Sequence, residues 1–331
     1  MAKRSQTPAG FLEIASIQTE ADAYRFMENL RWPDGPVCPH CGNTEKHWYL
    51  KPKGDDEARK TRTGSLSERR VWRCAECKRQ FSVLTGTVFH GSKVPLKTWL
   101  MVVHEMCANR NGISAHEIRR KYHVGNKTAW YMAHRLREGM KLGAPDMLRG
   151  TIVADETFVG PKPGRMSAKR RQLYDAGREM DLNADKTPVL ALIDAETGEV
   201  RSRVIADVTG HTLRKAIAEQ VDMAGSVLHT DEWVSYQAIG REFQAHQTVN
   251  HSEGEYVRNG ASTNKAESFF SQLKRSIDGT YHHVSVEHLP RYLDEFSFRS
   301  TTHKMTDEAR VTRLMGQVGN RRISYKRIKG D

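Results

Sequence analysis

Two groups of side chains in this sequence have the types and spacing to do chemistry. The first is four cysteines in two pairs, Cys38 and Cys41 in CPHC and Cys74 and Cys77 in CAEC. Two C-x2-C pairs supply the tetrahedral thiolate set that zinc favours, because one tight turn delivers both sulfurs of a pair. A closed four-thiolate site leaves no open position for water, so the Zn2+ expected here is structural. His40 and His47 lie near enough in sequence to be alternative ligands but read as ordinary polar residues, and Cys107 reads as a core thiol in an apolar helical pattern. The second group is acidic. Asp155 and Glu156 sit side by side inside the β-branched and aromatic run GTIVADETFVG, Asp231 closes the apolar run SVLHTDEW, and Glu267 lies in STNKAESFFSQLKRSI. Three carboxylates from distant segments suit a hard dication, Mg2+ or Mn2+, which takes oxygen ligands and keeps waters. Two such ions can activate an attacking oxygen and stabilise a departing one in phosphoryl transfer. Acids at strand ends also serve as partners of Arg or Lys, and spacing by itself does not choose between the two uses.

The elements that must position these groups can be read from periodicity. Strand-like HWYL and VWRC flank the polar insert between the cysteine pairs, which predicts a zinc ribbon whose hairpin carries an extended loop. After Gly150 a strand spans 151–159, a hairpin turns at Thr197-Gly198, a helix covers TLRKAIAEQVDMAG and a further strand SVLHTDEW. Strand, hairpin, helix and strand in that order predict a ribonuclease-H-like α/β core with a mixed sheet flanked by helices. Successive strand side chains alternate between faces, so only one acid of each Asp-Glu pair can face a given site. Ala266, Phe269, Phe270, Leu273 and Ile277 make the apolar side of a helix on which Lys274 follows Glu267 by two turns.

Between the two groups, residues 93–148 have helical periodicity, with Trp99, Val102, Val103 and Met106 on one stripe. Ser114 and Glu117 have the spacing of a capping box. Val124-Gly125-Asn126 reads as a turn into a second helix, Lys127 to Glu138. This is a helix-turn-helix pattern, with Asn126, Lys127, Thr128 and Tyr131 at the start of the helix that would meet DNA. His104-Glu105 and His116-Glu117 each lack the second histidine of H-E-x-x-H, and there is no P-loop, which excludes a helix-borne zinc protease and a P-loop ATPase.

Composition agrees with a polyanion partner. The 331 residues carry 52 Lys and Arg against 40 Asp and Glu, a formal charge of +12, and cationic surfaces bind nucleic acid by releasing its counterions. The N-terminal stretch has no apolar core of a secretion signal, and no apolar run has the length of a membrane span. The expectation is a cytoplasmic, nucleoid-associated chain. Its expected organisation is an N-terminal helical segment (1–30), a zinc ribbon with an inserted loop (31–92), a helix-turn-helix module (93–148), a catalytic domain (149–305) and a basic tail (306–331).

The succession CPHC, CAEC, LTGTVFHGSKVPLKTW, GISAHEIRRKYHV, KTAWYMAHRLREGM, VADETFVG, TDEW and NKAESFFSQLKRSIDGTYHHVSVEHLPRYLDEFSFR resembles a bacterial insertion-sequence transposase family of the DDE type. The likeness runs over about residues 10–300. It implies that Asp155, Asp231 and Glu267 are the acidic triad and Lys274 the lysine that follows it. It implies metal-dependent cleavage at element ends and joining to target DNA by direct phosphoryl transfer, with Lys274 and Arg275 holding DNA near the metals. Action on two DNA ends implies a homo-oligomer on DNA. Tyr281, His282 and His283 belong to the shared signature without an assigned role. The chain departs from the family at Ser262, where members often carry His, and after Phe298, where Asn is common. The basic stretch 161–172 is a candidate DNA track. A rival reading is a DNA-binding regulator with a vestigial catalytic core, and a third is a ribonuclease-H-like nuclease that cuts without joining.

Overall fold

The computed structural model describes residues 9–51, 59–60, 64, 66–143, 146–160, 172, 186–249, 263–325 and 328. Most of the basic stretch 161–172, and Ser262, lie outside the described residues. The chain divides into two compact units, residues 1–140 with 304–331, and residues 141–303. No helix among the described residues is long and apolar enough to cross a membrane.

The first unit opens with α1 (Phe11–Ser16) and α2 (Glu20–Arg31). A reciprocal capping box starts α2, with Thr19 accepting from the Asp22 amide and Asp22 from the Thr19 amide. The ribbon follows. β1 (His47–Tyr49) pairs antiparallel with β4 (Trp72–Cys74), and β4 with β5 (Gln80–Phe81). Between β1 and β4, the two-residue strands β2 (Arg59–Lys60) and β3 (Leu66–Ser67) pair with each other. α3 (Leu96–Ala108) buries Trp99, Leu100, Val102, Val103, Met106 and Cys107, and its first amide, Leu96 N, donates to Glu20 Oε1 at 2.6 Å. That bond satisfies one of the orphan donors every helix start exposes.

α4 (Ala115–Tyr122) and α5 (Asn126–Met140) are joined through His123, which takes the left-handed conformation at φ 51°. Ser114 caps α4 by accepting from the Glu117 amide at 3.1 Å. The Glu117 carboxylate pairs with Lys121 at 2.8 Å, so the capping box read from the sequence is made in one direction only. The residues grouped above as a tail include α10 (Asp307–Gln317), which buries Val311, Leu314 and Met315 and packs on α2, α3 and α5.

The second unit is a five-stranded mixed sheet between helices. β6 (Leu148–Val159), β7 (Thr187–Asp194) and β8 (Val200–Val204) form an antiparallel meander. β9 (Val221–Asp231) lies parallel on the other side of β6, and β10 (Ala245–Val249) parallel to β9, giving the order β10-β9-β6-β7-β8. The β7–β8 hairpin turns where the sequence places it. Gly198 has φ 75°, and Asp194 Oδ1 accepts from the amides of Glu196 and Thr197 at 2.8 and 2.9 Å. α6 (Gly210–Ala218) and α7 (Ser235–Gly240) cover one face of the sheet, packing Leu213, Ile217, Tyr236 and Ile239 on Ile152, Ala154 and Leu228. α8 (Asn264–Ser276) and α9 (Leu289–Thr301) cover the other, packing Phe269, Leu273, Leu293 and Phe296 on Val153, Val189, Ala191 and Ile193. One expectation is corrected: the helix read over 212–225 ends at Ala218, and Val221–Gly225 already belong to β9. Val221 pairs with Leu148 and is buried, so a long-range strand partner overrides local helix propensity.

The ribbon is tied to α2 by one buried carboxylate. Glu28 is 8% exposed and accepts from Arg70 Nε and Trp72 Nε1, both at 2.8 Å. Removing the acceptor leaves a half-buried guanidinium and indole N–H without this partner. Glu28→Ala is therefore expected to destabilise the zinc-loaded protein by about 3 kcal/mol, measured by denaturant unfolding, with Glu28→Gln intermediate.

Candidate active site

The two aspartates reach the same place because of strand pairing. The β6–β9 ladder is in parallel register, Ile152 with Leu228 and Val153 with His229, and stops there. Asp155 lies two residues beyond the last pair on β6, and Asp231 two residues beyond it on β9. Equal offsets on neighbouring parallel strands put both side chains level and on the same face. The end of the ladder opens a crevice at the carboxyl ends of the strands, the position at which open α/β sheets bind their ligands. Asp155 pairs across the sheet with Ala191, which belongs to the core under α8 and α9. Glu267, exposed in the first turn of α8, lies close enough for its charge to act on Asp155.

Electrostatics reports this convergence. Burial, then the charges of Glu156, Asp231 and Glu267, push the Asp155 carboxyl up to about 7 against an ordinary 3.8, although the Glu156 amide donates to its Oδ1 at 2.8 Å. Like charges held together in a poorly solvated site keep protons unless a cation intervenes. Lys274, two turns along α8, is pulled below its usual range by partial burial and by Lys186, against the attraction of Asp155. Arg275 follows in the last turn of α8, donating to Ser271 Oγ at 3.3 Å.

Glu156 points the other way. The hydroxyl of Tyr236, a fully buried side chain of the opposite core, donates to Glu156 Oε2. Burial raises the Glu156 carboxyl to about 7 despite this bond, with Asp231 adding to the rise. The paired acids in the strand are thus divided between the two faces, one toward the crevice and one to a tyrosine. No spacing rule identifies Tyr236, five residues past Asp231, as that partner. Among the shared-signature residues, Tyr281 donates to Glu295 Oε1 at 2.7 Å, and Arg299 meets the same oxygen at 2.8 Å. Tyr281 therefore holds the π-helical turn Ile277–Tyr281 at the end of α8 onto α9.

The oxygen donor set and the raised Asp155 fit a divalent cation. Asp155, Asp231 and Glu267 do not, however, close into a group as compact as the cysteines, which among the described residues are the one set whose ligand atoms all lie within 4.8 Å of one another. Bare carboxylates repel. Two ions about 4 Å apart also need ligands on both flanks rather than around one point.

In the ribbon, Cys38 Sγ lies 3.6 Å from Cys77 Sγ, and Cys41 Sγ lies 3.6 Å from Cys74 Sγ. Tetrahedral zinc with bonds of about 2.3 Å spaces its sulfurs by about 3.8 Å, so the geometry is that of a structural zinc site. Each knuckle turns on the residue after its second cysteine, Gly42 at φ 77° and Lys78 at φ 59°. His40 and His47 are outside the cluster.

In the helical pair, Asn126 and Lys127 are exposed and Thr128 half-buried at the start of α5. Tyr131 is turned inward, its hydroxyl donating to the Ile323 carbonyl at 2.7 Å.

A five-stranded mixed sheet flanked by helices is thus accompanied in one chain by a zinc ribbon. Residues 147–301 match the ISXO2-like transposase domain, and residues 18–80 the transposase zinc-ribbon domain. The chain belongs to the insertion-sequence transposases built from these domains. It is similar to an uncharacterised protein of the transposable element ISH50 from Halobacterium salinarum, 27% identical over 295 residues that cover 87% of this chain and 93% of that protein. A solved chain of the simian T-cell lymphotropic virus intasome in complex with the PP2A regulatory subunit B56 gamma aligns over 54% of this chain and 67% of its own length, at 14% identity and a TM-score of 0.25.

Two outcomes follow for the metals. Elemental analysis of the purified protein is expected to give about one zinc per chain, lost in Cys74→Ser together with cooperative melting of the ribbon. For the metal-free crevice the folded state holds protons on Asp155 and Glu156 that the unfolded chain releases from about pH 4 upward. The folded form binds more protons, so the contribution of this pair to stability is fully present below about pH 4 and is lost as pH rises through about 7. Thermal melting of the zinc-loaded protein without added Mg2+ should show that fall, and added Mg2+ should raise the melting temperature more at pH 8 than at pH 5.

Proposed function

We propose that the chain cleaves DNA at the ends of its insertion sequence and joins them to target DNA by direct phosphoryl transfer at the crevice of Asp155, Asp231 and Glu267. The observation that carries this reading is the termination of the β6–β9 ladder two residues short of both aspartates, with Asp155 sensing the charges of Asp231 and Glu267.

Asp155, Asp231 and Glu267 would hold Mg2+ or Mn2+. When bound, such ions supply Lewis-acid activation of an attacking water or 3′-hydroxyl and stabilisation of the departing oxygen. The chain's own part is placement. β6 and β9 fix two carboxylates on a rigid sheet, and α8 carries the third, packed through Ala266, Phe269, Phe270 and Leu273. Lys274 offers an ammonium beside Asp155, suited to a phosphodiester oxygen, and Arg275 lies next to it for the neighbouring backbone. Tyr236 holds Glu156 away from the crevice, which spares the site a fourth competing carboxylate. Asn126, Lys127 and Thr128 enter the major groove of the terminal sequence at the start of the recognition helix. Because two ends must be joined, the working form is a homo-oligomer assembled on DNA.

Supercoiled donor DNA carrying the element ends, incubated with the protein and Mg2+, tests this reading. Asp155→Ala, Asp231→Ala and Glu267→Ala should each lose nicking and joining by at least about a thousandfold, comparable with removal of a transition-state electrostatic contact. Glu156→Gln, which keeps an acceptor for Tyr236, should retain both. Binding without cleavage by the intact protein would favour a regulator, and cutting without joining a simple nuclease.

A further inference from the structure

Arg135 on α5 is 2% exposed. Its Nη2 donates to the His90 carbonyl at 2.6 Å, and its guanidinium lies over the rings of Trp99 and Tyr131 at 5.4 and 5.0 Å. Its Nε has no hydrogen-bond partner, and the charged or titratable groups that act on it are Tyr131 and Arg322, with no carboxylate among them. A buried cation lacking a counter-ion is destabilising, and an unsatisfied buried donor in a well-packed unit points to a ligand or a function.

Arg135 lines a groove of about 790 Å3 beside the start of α5, whose walls also include His90, Lys93, Lys127, Tyr131 and Arg322. No acidic residue is among its lining residues. Lys93, Lys127 and Arg322 are exposed. His90 Nδ1 accepts from the Gly86 amide at 3.0 Å, so the proton of the neutral ring sits on Nε2, as a donor. The wall bearing Arg322 is fixed in place: Tyr131 Oη donates to the Ile323 carbonyl at 2.7 Å, Tyr325 packs edge-on against Tyr131 at 5.7 Å, and Arg321 donates to the Glu138 carbonyl at 2.8 Å. The C-terminal segment thereby delivers a cation to the mouth of the groove.

We propose that this groove seats a backbone phosphate of the DNA, with Arg135 as its buried cation and Lys93 and Arg322 as its rim. The proposal rests on the reading of α4 and α5 as the DNA-binding helices and states where the sugar-phosphate backbone runs beside them. Donors without acceptors, in an acid-free concavity at the start of the recognition helix, match the chemistry of a phosphodiester, which accepts and never donates.

The test uses the full zinc-loaded chain and fluorescence anisotropy with a mixed-sequence duplex across a salt series. Lys93→Ala/Arg322→Ala should weaken binding on the order of tenfold, equally for all sequences, and lower the salt slope by about 0.9 for each phosphate that the variant no longer neutralises. Arg322→Ala alone, at an exposed site, should give part of the same change. Unchanged affinity and slope overturn the proposal, as does a weakening confined to some sequences in a randomised duplex pool. Asn126→Ala separates the two readings. It should alter sequence preference in that pool and leave the slope intact. If it changes nothing while the rim variants lower the slope, the recognition helix is misassigned and the phosphate seat stands. If it alters preference while the rim variants do nothing, the seat alone fails.

Discussion

Acidic side chains can be gathered at one point of a basic protein only if the backbone holds them there against their own repulsion. In this chain the hydrogen-bonded ladder between β6 and β9, continued on either side by β7 and β10, holds Asp155 and Asp231 level. Its register brings residues far apart in sequence side by side, and its ending opens the space they face. A rigid sheet is needed because a loop would relax away from a carboxyl held near 7 by burial and like charge. The surrounding packing serves the same end. α8 is clamped by Phe269, Phe270 and Leu273 against the sheet, and its π-helical end is fastened through Tyr281 to Glu295 and Arg299. Glu156 is removed from the crevice by a hydroxyl from the opposite core.

The N-terminal unit solves a different problem. A ribbon with strands of two and three residues cannot bury enough apolar surface to stand alone. Four thiolates replace a core, and Glu28 then joins the ribbon to α2 through Arg70 and Trp72. The end of the chain returns to this unit: α10 packs on α2, α3 and α5, and the segment beyond it lies along α5. Arg321 and Arg322 gain a fixed position in this way beside α5.

Much of this architecture was legible from residue order. Zinc ligation was readable because both knuckles are local: two cysteines with two residues between them can hardly avoid sharing a turn. The hairpin at Gly198, the cap at Ser114 and the apolar side of α8 are local for the same reason, each decided within a few residues by backbone conformation or by the 3.6-residue period. The error over Val221–Gly225 shows the boundary of that legibility. Those residues have helical company in sequence, yet Val221 is claimed by Leu148 across the sheet.

The sequence by itself determined the parts: the zinc ligands, the alternation that allows only one carboxylate of each acidic pair to face a given side, and the family to which the order of motifs belongs. Only the tertiary structure decided which partners those parts meet. That Glu156 goes to Tyr236, that Asp155 and Asp231 are level, that Tyr131 spends its hydroxyl on Ile323, and that Arg135 is buried against Trp99 all depend on segments with no fixed spacing between them. The energies involved depend on burial and on neighbouring charge, which exist only once the chain has packed, so no pattern along the polymer can encode them one residue at a time.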